Sequence, residues 1–238
     1  MLFSTLDIVL PCFNPLPQWE QKVIAVGKEI CKALPEVQIA FVIVNDGTHA
    51  DLQNAIDTIK NAVPFLTYIS LPENTGKGNA LRTGIERSNA EVCIYTDIDF
   101  PYTTDSLLHV WNTLKTGEVD IVAGVKDKEY YTHVPAGRKF ISRILQWNIK
   151  FFLGLQISDT QCGLKGFNNQ GKRIFLQTTI HRYLFDLEFI FIASRSSDIT
   201  LQSLPVQLRS DIQFRSMNWK ILFTESVNFV KIFFRRIF

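Results

Sequence analysis

The chain has 238 residues, 46% of them hydrophobic, which is enough for one well-buried core that needs neither a metal nor a disulfide to staple it. Its 25 basic and 23 acidic residues leave a net charge of +2, and that balance excludes a dedicated nucleic-acid binder, whose phosphate contacts call for a strong basic excess. Cys12, Cys31, Cys93 and Cys162 form no C-x-x-C pair, and three of them stand in apolar or strand-like surroundings, the usage of reduced thiols in a cytoplasmic protein.

The segment from Met1 to Leu10 has no basic leader and is interrupted by Asp7; it is expected as a strand, Asp7 to Leu10, rather than as a signal peptide. Pro11, Asn14, Pro15 and Pro17 break the chain, and helical spacing resumes from Trp19 to Leu34, where Pro35 stops it. A second strand is predicted over Ile39 to Val44, then the turn Asn45-Asp46-Gly47-Thr48 and a helix over Leu52 to Ala62. A third strand, Thr67 to Leu71, leads into a glycine-rich turn, Asn74 to Gly78, and a short helix, Ala80 to Ser88. The fourth strand, Val92 to Tyr95, runs straight into Thr96-Asp97-Ile98-Asp99. Strands alternating with amphipathic helices predict an α/β fold with a mainly parallel sheet and helices on both faces.

The pattern is less regular beyond that point, with a buried strand over Asp120 to Ala123 and a loop over Tyr130 to Gly137. Phe140 to Leu155 reads as a helix with Lys139, Arg143, Gln146 and Lys150 on one side and Ile141, Ile144, Leu145, Phe151 and Phe152 largely on the other. The C-terminal segment repeats that design, a polar stripe of Lys220, Thr224, Asn228, Lys231 and Arg235 opposite Phe223, Val227, Val230 and Phe234. Basic helices with aromatic faces suit a membrane interface, and an apolar stripe suits the domain's own core equally well. No stretch reaches the roughly 18 uncharged apolar residues of a membrane span, because Lys150, Lys220, Glu225 and Lys231 interrupt the best candidates. The chain is therefore expected to lie on a membrane rather than to cross one.

In an open α/β sheet, ligands bind beyond the carboxyl ends of the strands, so the residues that follow each apolar run are the informative ones. Asn45-Asp46 follows the second strand, and Asp97 with Asp99 follows the fourth. Any one of these could simply cap a helix or shape a turn; together they gather acidic and amide groups at one edge. Asp97 and Asp99 are two apart, so on an extended backbone both carboxylates point the same way. Two such oxygen ligands suit Mg²⁺ or Mn²⁺ shared with a diphosphate, where the ion would neutralise charge on a leaving group. Asn74-Thr75-Gly76-Lys77-Gly78 could cradle phosphate through free backbone N–H groups and the lysine, but it lacks the Gly-Lys-Ser/Thr ending of a nucleotide-hydrolase loop. His49, His109, His133 and His181 show no metal-ligand spacing.

Five stretches occur in a recognisable order: Val9-Leu10-Pro11-Cys12-Phe13-Asn14, Val44 to Thr48, Asn74 to Ala80, Asp97-Ile98-Asp99 and Asp159-Thr160-Gln161-Cys162-Gly163-Leu164-Lys165. Together they resemble glycosyltransferase family 2, and within it the branch that makes polyprenyl-phosphate sugars such as dolichyl-phosphate glucose or mannose. The resemblance runs from Asp7 to the end of the chain and implies one GT-A domain over residues 1–238. About 1–125 would form the nucleotide-sugar part, about 126–210 the acceptor part and about 218–238 an amphipathic helix.

Carried over residue by residue, the resemblance implies that Pro11, Phe13, Asn14 and Asp46 hold the nucleotide base and ribose and that Lys77 lies near the donor. Asp97 and Asp99 would be the metal aspartates. Asp159 would stand near the transferred sugar or acceptor with Gln161 and Lys165 beside it, and Lys126, Arg138 and Ser142 would hold an acceptor phosphate. Phe185-Asp186-Leu187-Glu188 matches a further family motif, expected to shape the site. The implied activity is metal-dependent inverting transfer of a hexose from a UDP- or GDP-sugar to a polyprenyl phosphate by a peripheral protein on the cytoplasmic face of a membrane. An integral-membrane partner or a second copy of the chain is left open. A saccharide hydroxyl as acceptor, or a non-catalytic nucleotide-sugar-binding module, are the competing readings. Two departures stand out. Phe100-Pro101 replaces a pair that in many relatives supplies a further polar ligand, and the transmembrane helices that often follow the catalytic domain are absent from this sequence.

Overall fold

The computed structural model describes residues 2–126, 162–182 and 184–210. The expected loop at Tyr130 to Gly137, the helix at Phe140 to Leu155 and the C-terminal amphipathic segment lie outside them. The described chain contains β1 (Thr5–Cys12), α1 (Trp19–Ala33), β2 (Gln38–Asp46), α2 (Gln53–Lys60), β3 (Leu66–Leu71), α3 (Lys77–Arg87), β4 (Val92–Tyr95), α4 (Thr104–Leu114) and β5 (Ile121–Lys126). After residue 161 follow β6 (Lys165–Asn168), α5 (Asn169–Phe175), α6 (Phe185–Arg195) and β7 (Leu201–Val206).

The strands form a seven-stranded sheet in the order β3-β2-β1-β4-β6-β5-β7. All pairings are parallel except the two made by β6, which runs antiparallel to both β4 and β5. The run Ile8 to Cys12 is apolar on both faces, the signature of a strand covered on both sides. The even-numbered residues of β1, Leu6, Ile8, Leu10 and Cys12, join α1, α2 and α4 in one core. Val9 joins Val42 and Val44 in the other core, beneath α3, α5 and α6. The second core is rich in aromatic contacts, with Tyr95, Phe167, Phe175, Phe185 and Phe189 meeting at centroid distances from 5.0 to 6.2 Å, the tilted and edge-on geometries that ring quadrupoles favour.

Five elements escaped the sequence reading, α4, β6, α5, α6 and β7, and the first two show why. Helix α4 buries Leu107, Val110, Trp111 and Leu114, a spacing of three and four that marks one helical face, and Thr103 caps it by accepting a hydrogen bond from the Ser106 N–H at 3.3 Å. Strand β6 is only four residues, Lys-Gly-Phe-Asn, too short for any alternation to stand out. A further difference bears on the site: α3 begins at Lys77 rather than at Ala80, so the second half of the glycine-rich turn is the first turn of a helix. No helix of the described residues is long and apolar enough to cross a membrane.

The start of β1 is tied to β4 by Glu91, whose Oε2 accepts from the Ser4 N–H at 2.7 Å, the Ser4 hydroxyl at 3.1 Å and the Thr5 N–H at 3.2 Å. The Ser4 N–H, ahead of a smaller opposing effect of burial, lowers the Glu91 pKa below its ordinary 4.5. A carboxyl whose folded pKa is depressed stabilises the fold above its unfolded pKa and loses that contribution as pH falls through the folded value. Glu91→Gln is expected to be less stable than the wild type at pH 7, with the difference closing below pH 4.5; urea unfolding of both proteins across that range measures it.

Candidate active site

Strands β1, β2 and β4 run parallel, so their carboxyl ends deliver residues 13–14, 46–48 and 96–99 to one edge of the sheet. Because β6 is antiparallel, with Lys165 opposite Tyr95, it is the residues preceding β6, Cys162 to Leu164, that reach this same edge. Lys126 ends β5, paired with Val206 of β7, also at this edge. Asp159, Gln161, Arg138 and Ser142 lie outside the described residues.

Asp46 is 3% exposed at the end of β2. Its Oδ1 accepts from the Thr75 N–H at 2.8 Å and the Thr75 hydroxyl at 2.9 Å, and its Oδ2 from the Gly76 N–H at 2.9 Å and the Asn74 amide at 3.0 Å. A carboxylate has about four acceptor positions, and all are used on the loop. On the far side, the His181 carbonyl accepts from the Gly78 N–H at 2.7 Å and the Asn79 N–H at 3.3 Å. The backbone N–H groups of Thr75, Gly76, Gly78 and Asn79 thus have protein partners, which corrects the reading of this turn as an open phosphate cradle. The glycines serve close approach instead. A Cβ on Gly47 (φ 75°) would stand 2.3 Å from the Glu73 carbonyl carbon, and one on Gly76 (φ 103°) 2.5 Å from the His181 oxygen. Asp46, expected at the base or ribose, is in this structure the clamp of the 74–76 loop.

The clamped loop sets Lys77 as the first residue of α3, and its Nζ meets Asp97 Oδ1 at 2.6 Å. Asp97 and Asp99 do not continue the strand. The Phe100 N–H donates to the Asp97 carbonyl at 2.9 Å, closing a turn with Phe100 at φ 45° and buried. The chain turns at this pair instead of staying extended, and the charge of Asp97 acts on Asp99. Burial, and after it the Asp97 charge, raise the Asp99 pKa against the pull of Lys22 and Lys77. Burial would lower the Lys77 pKa, but Asp97, Asp186 and Asp99 outweigh it and raise it. Gly163 completes this corner: a Cβ there would sit 2.8 Å from Asp97 Oδ2, so a larger residue would displace the carboxylate.

This donor set suits a hard divalent cation. It offers carboxylate oxygens only, with two acidic groups beside one lysine. Among the described residues no group of three or more His, Cys, Asp or Glu side chains gathers as a metal cage, so a bound ion would take its remaining ligands from elsewhere.

Lys165, expected beside the transferred sugar, is instead fully buried beneath the edge. Its Nζ donates to the Cys162 carbonyl at 2.6 Å and to Asp186 Oδ1 at 2.7 Å, and the Tyr95 hydroxyl donates to that same oxygen at 2.6 Å. Lys165 therefore acts on the site through the Cys162-Gly163 backbone. Tyr102, which nothing in the sequence singled out, receives the Gly163 N–H at 3.0 Å and the Cys162 thiol at 3.3 Å. Two residues along α6, Glu188 accepts from the Thr179 N–H at 2.8 Å, the Ile180 N–H at 2.8 Å and the Thr179 hydroxyl at 2.9 Å, fixing the loop that presents the His181 carbonyl. The Phe185-Asp186-Leu187-Glu188 stretch thus braces both loops that flank Lys77 and Asp97.

Pro11 is buried at the end of β1, while Phe13 is 42% exposed and Asn14 (φ 45°) donates its N–H to the Thr48 hydroxyl at 2.9 Å. Asn14 and Thr48 border an open groove of about 550 Å³ between residues 14–20 and α2. Asp97 and Asp99 do not line that groove.

A mostly parallel sheet with one reversed strand, and an acidic pair where β4 ends, define a GT-A fold. The family model "Glycosyl transferase family 2" matches residues 7–173, and the chain belongs to that family. It is 25% identical over 203 residues to a dolichyl-phosphate beta-glucosyltransferase of Dictyostelium discoideum, covering 80% of this chain and 62% of that protein. The human dolichyl-phosphate beta-glucosyltransferase is 28% identical over 207 residues, covering 79% and 62%. The chain thus spans about three fifths of the length of these relatives. Among solved structures, glucosyl-3-phosphoglycerate synthase from Mycobacterium tuberculosis with uridine diphosphate superposes at a TM-score of 0.69 with 17% identity, covering 98% of this chain and 80% of that one. The same enzyme with Mn²⁺, uridine diphosphate and phosphoglyceric acid gives 0.68, with 17% identity and coverage of 98% and 78%; at such identities the likeness is one of fold.

Breaking a buried ion pair by removing one partner leaves an uncompensated charge and costs about 3–5 kcal/mol, whereas an apolar pair of similar volume is often neutral. Lys165→Met and Asp186→Asn are each expected to lose stability on that scale in urea unfolding, and the double variant Lys165→Met with Asp186→Leu to recover only part of it, because the buried Tyr95 hydroxyl and the Cys162 carbonyl lose their partners.

Proposed function

We propose that this protein is a metal-dependent inverting glycosyltransferase that moves a hexose from a UDP- or GDP-sugar to a polyprenyl phosphate, as a peripheral protein on the cytoplasmic face of a membrane. The observation that carries the reading is the convergence of Asp97, Asp99 and Lys77 at the carboxyl edge of a family 2 sheet. Relatives named dolichyl-phosphate beta-glucosyltransferases support a polyprenyl-phosphate acceptor and favour glucose as the sugar. Fold neighbours crystallised with uridine diphosphate and Mn²⁺ or Mg²⁺ support a nucleotide-bound divalent ion.

In this reading Asp97 and Asp99 hold Mg²⁺ or Mn²⁺, which when bound neutralises charge on the leaving diphosphate. Lys77 adds a second positive charge beside it. Pro11, Phe13 and Asn14 line the base and ribose, and Asp46 serves the donor through the loop that it clamps. A phosphate monoester is already ionised near neutral pH, so the acceptor oxygen needs little help from a base. Positioning and charge neutralisation then supply most of the rate. Lys126, Arg138 and Ser142 are assigned to the acceptor phosphate, the arginine through bidentate contact, and Asp159 and Gln161 to the transferred sugar. Lys165 holds the Cys162-Gly163 backbone under Asp97.

The test is incubation with Mg²⁺ or Mn²⁺, polyprenyl phosphate and a panel of radiolabelled UDP- and GDP-sugars, counting label extracted with the lipid. Label in the lipid is expected with one donor, falling by about 10²-fold or more in Asp97→Asn and Asp99→Asn. Unchanged transfer in those variants, or in the wild type with excess chelator, overturns metal dependence. Label in a saccharide product instead of the lipid replaces the acceptor assignment.

A further inference from the structure

One carboxylate oxygen of the acidic pair is taken by a lysine. Lys77 Nζ lies 2.6 Å from Asp97 Oδ1, with the two side chains 24% and 40% exposed. The lysine backbone cannot follow its side chain away, because the loop before it is clamped by Asp46 and the amides after it by the His181 carbonyl. Only the four-carbon stem is free to swing. The other oxygen of the Asp97 carboxylate, Oδ2, faces Gly163, so a metal that engages Asp97 competes with the ammonium for the same small group.

The geometry points to Lys77 as an internal cation that holds the metal position until a diphosphate arrives, making metal binding conditional on the nucleotide. This rests on the reading of Asp97 and Asp99 as metal ligands. With Lys77 in place the three side chains sum to about one negative charge when all are ionised, a weak attractor for a divalent ion. Adding the ion beside the lysine would leave an excess of about one positive charge in a partly buried site. A diphosphate reverses that balance, since its oxygens both complete the metal shell and offer Lys77 a new anionic partner. The coupling is reciprocal by linkage: whatever factor the nucleotide adds to metal affinity, the metal adds to nucleotide affinity.

The experiment titrates the full chain with Mn²⁺, read by the loss of the free-ion electron paramagnetic resonance signal, with and without uridine diphosphate. The wild type is expected to bind Mn²⁺ alone weakly and much more tightly with the nucleotide. Lys77→Met should bind Mn²⁺ alone about twofold to fivefold more tightly, the scale of one partly exposed ion pair, and the enhancement by uridine diphosphate should shrink by at least that factor. Lys77→Gln, uncharged but still a hydrogen-bond donor, should show the same gain and decides the matter if the methionine variant does not fold. Mn²⁺ affinity equal to or below wild type in the folded variant overturns the inference. Asp97→Asn separates the two levels. If it binds Mn²⁺ with nucleotide as the wild type does, the metal assignment itself falls; if it loses binding while the Lys77 variants show no gain, only the conditional role of Lys77 falls.

Discussion

Buried carboxylates bonded to loop amides hold this site together, and the position of Lys77 follows from them. A backbone N–H that leaves a strand or enters a helix must find an acceptor, and here the acceptors are supplied by Asp46 at the end of β2 and Glu188 on α6. Asp46 draws the 74–76 loop against the sheet. Glu188 fixes the 179–180 backbone, whose next carbonyl receives the first amides of α3. Between these two anchors the first residue of α3 has one place to be, and that place faces Asp97.

The buried Lys165–Asp186 pair does for the other wall what Asp46 does for the loop. Ion pairs in an apolar interior contribute little net stability, because the desolvation of both partners offsets their attraction. What this pair contributes is position. The ammonium joins the Cys162 carbonyl to Asp186, Tyr95 adds its hydroxyl to the same oxygen, and Tyr102 takes up the Gly163 N–H. The glycine is thereby held against Asp97 at a distance that leaves no room for a side chain. Rigid support under an acidic pair matters when the pair must meet both an ion and a diphosphate, since a small misplacement forfeits the orientation on which such chemistry depends.

Reversal of β6 is what makes this wall available. In an all-parallel sheet only residues following strands reach the ligand edge, whereas a strand of opposite sense brings the residues before it to the same place. Cys162 to Leu164 meet the end of β4 for that reason. The sheet thus presents loops from both halves of the chain to the same few ångströms, with α3 on one side and the 162–164 segment on the other.

The alternation of apolar runs and amphipathic helices through residue 95, and the acidic residues after the second and fourth runs, were legible in the sequence because burial on both faces of a parallel strand writes itself as a continuous apolar segment. Helix α4 went unread although its Leu107, Val110, Trp111 and Leu114 spacing carries a helical period. Strand β6 was not legible, since four residues carry no period. Nor could the sequence tell that the glycines around Lys77 exist for close backbone approach instead of anion binding, because both uses ask for the same residue. The same ambiguity covers Lys165: a lysine in a motif looks identical whether it faces a ligand or lies fully buried on an aspartate 21 positions away. Local pattern records which face a residue needs; which partner it finds there depends on contacts between distant segments, and the turn at Asp97, the clamp at Asp46 and the burial of Lys165 were decided only when the tertiary structure brought those segments together.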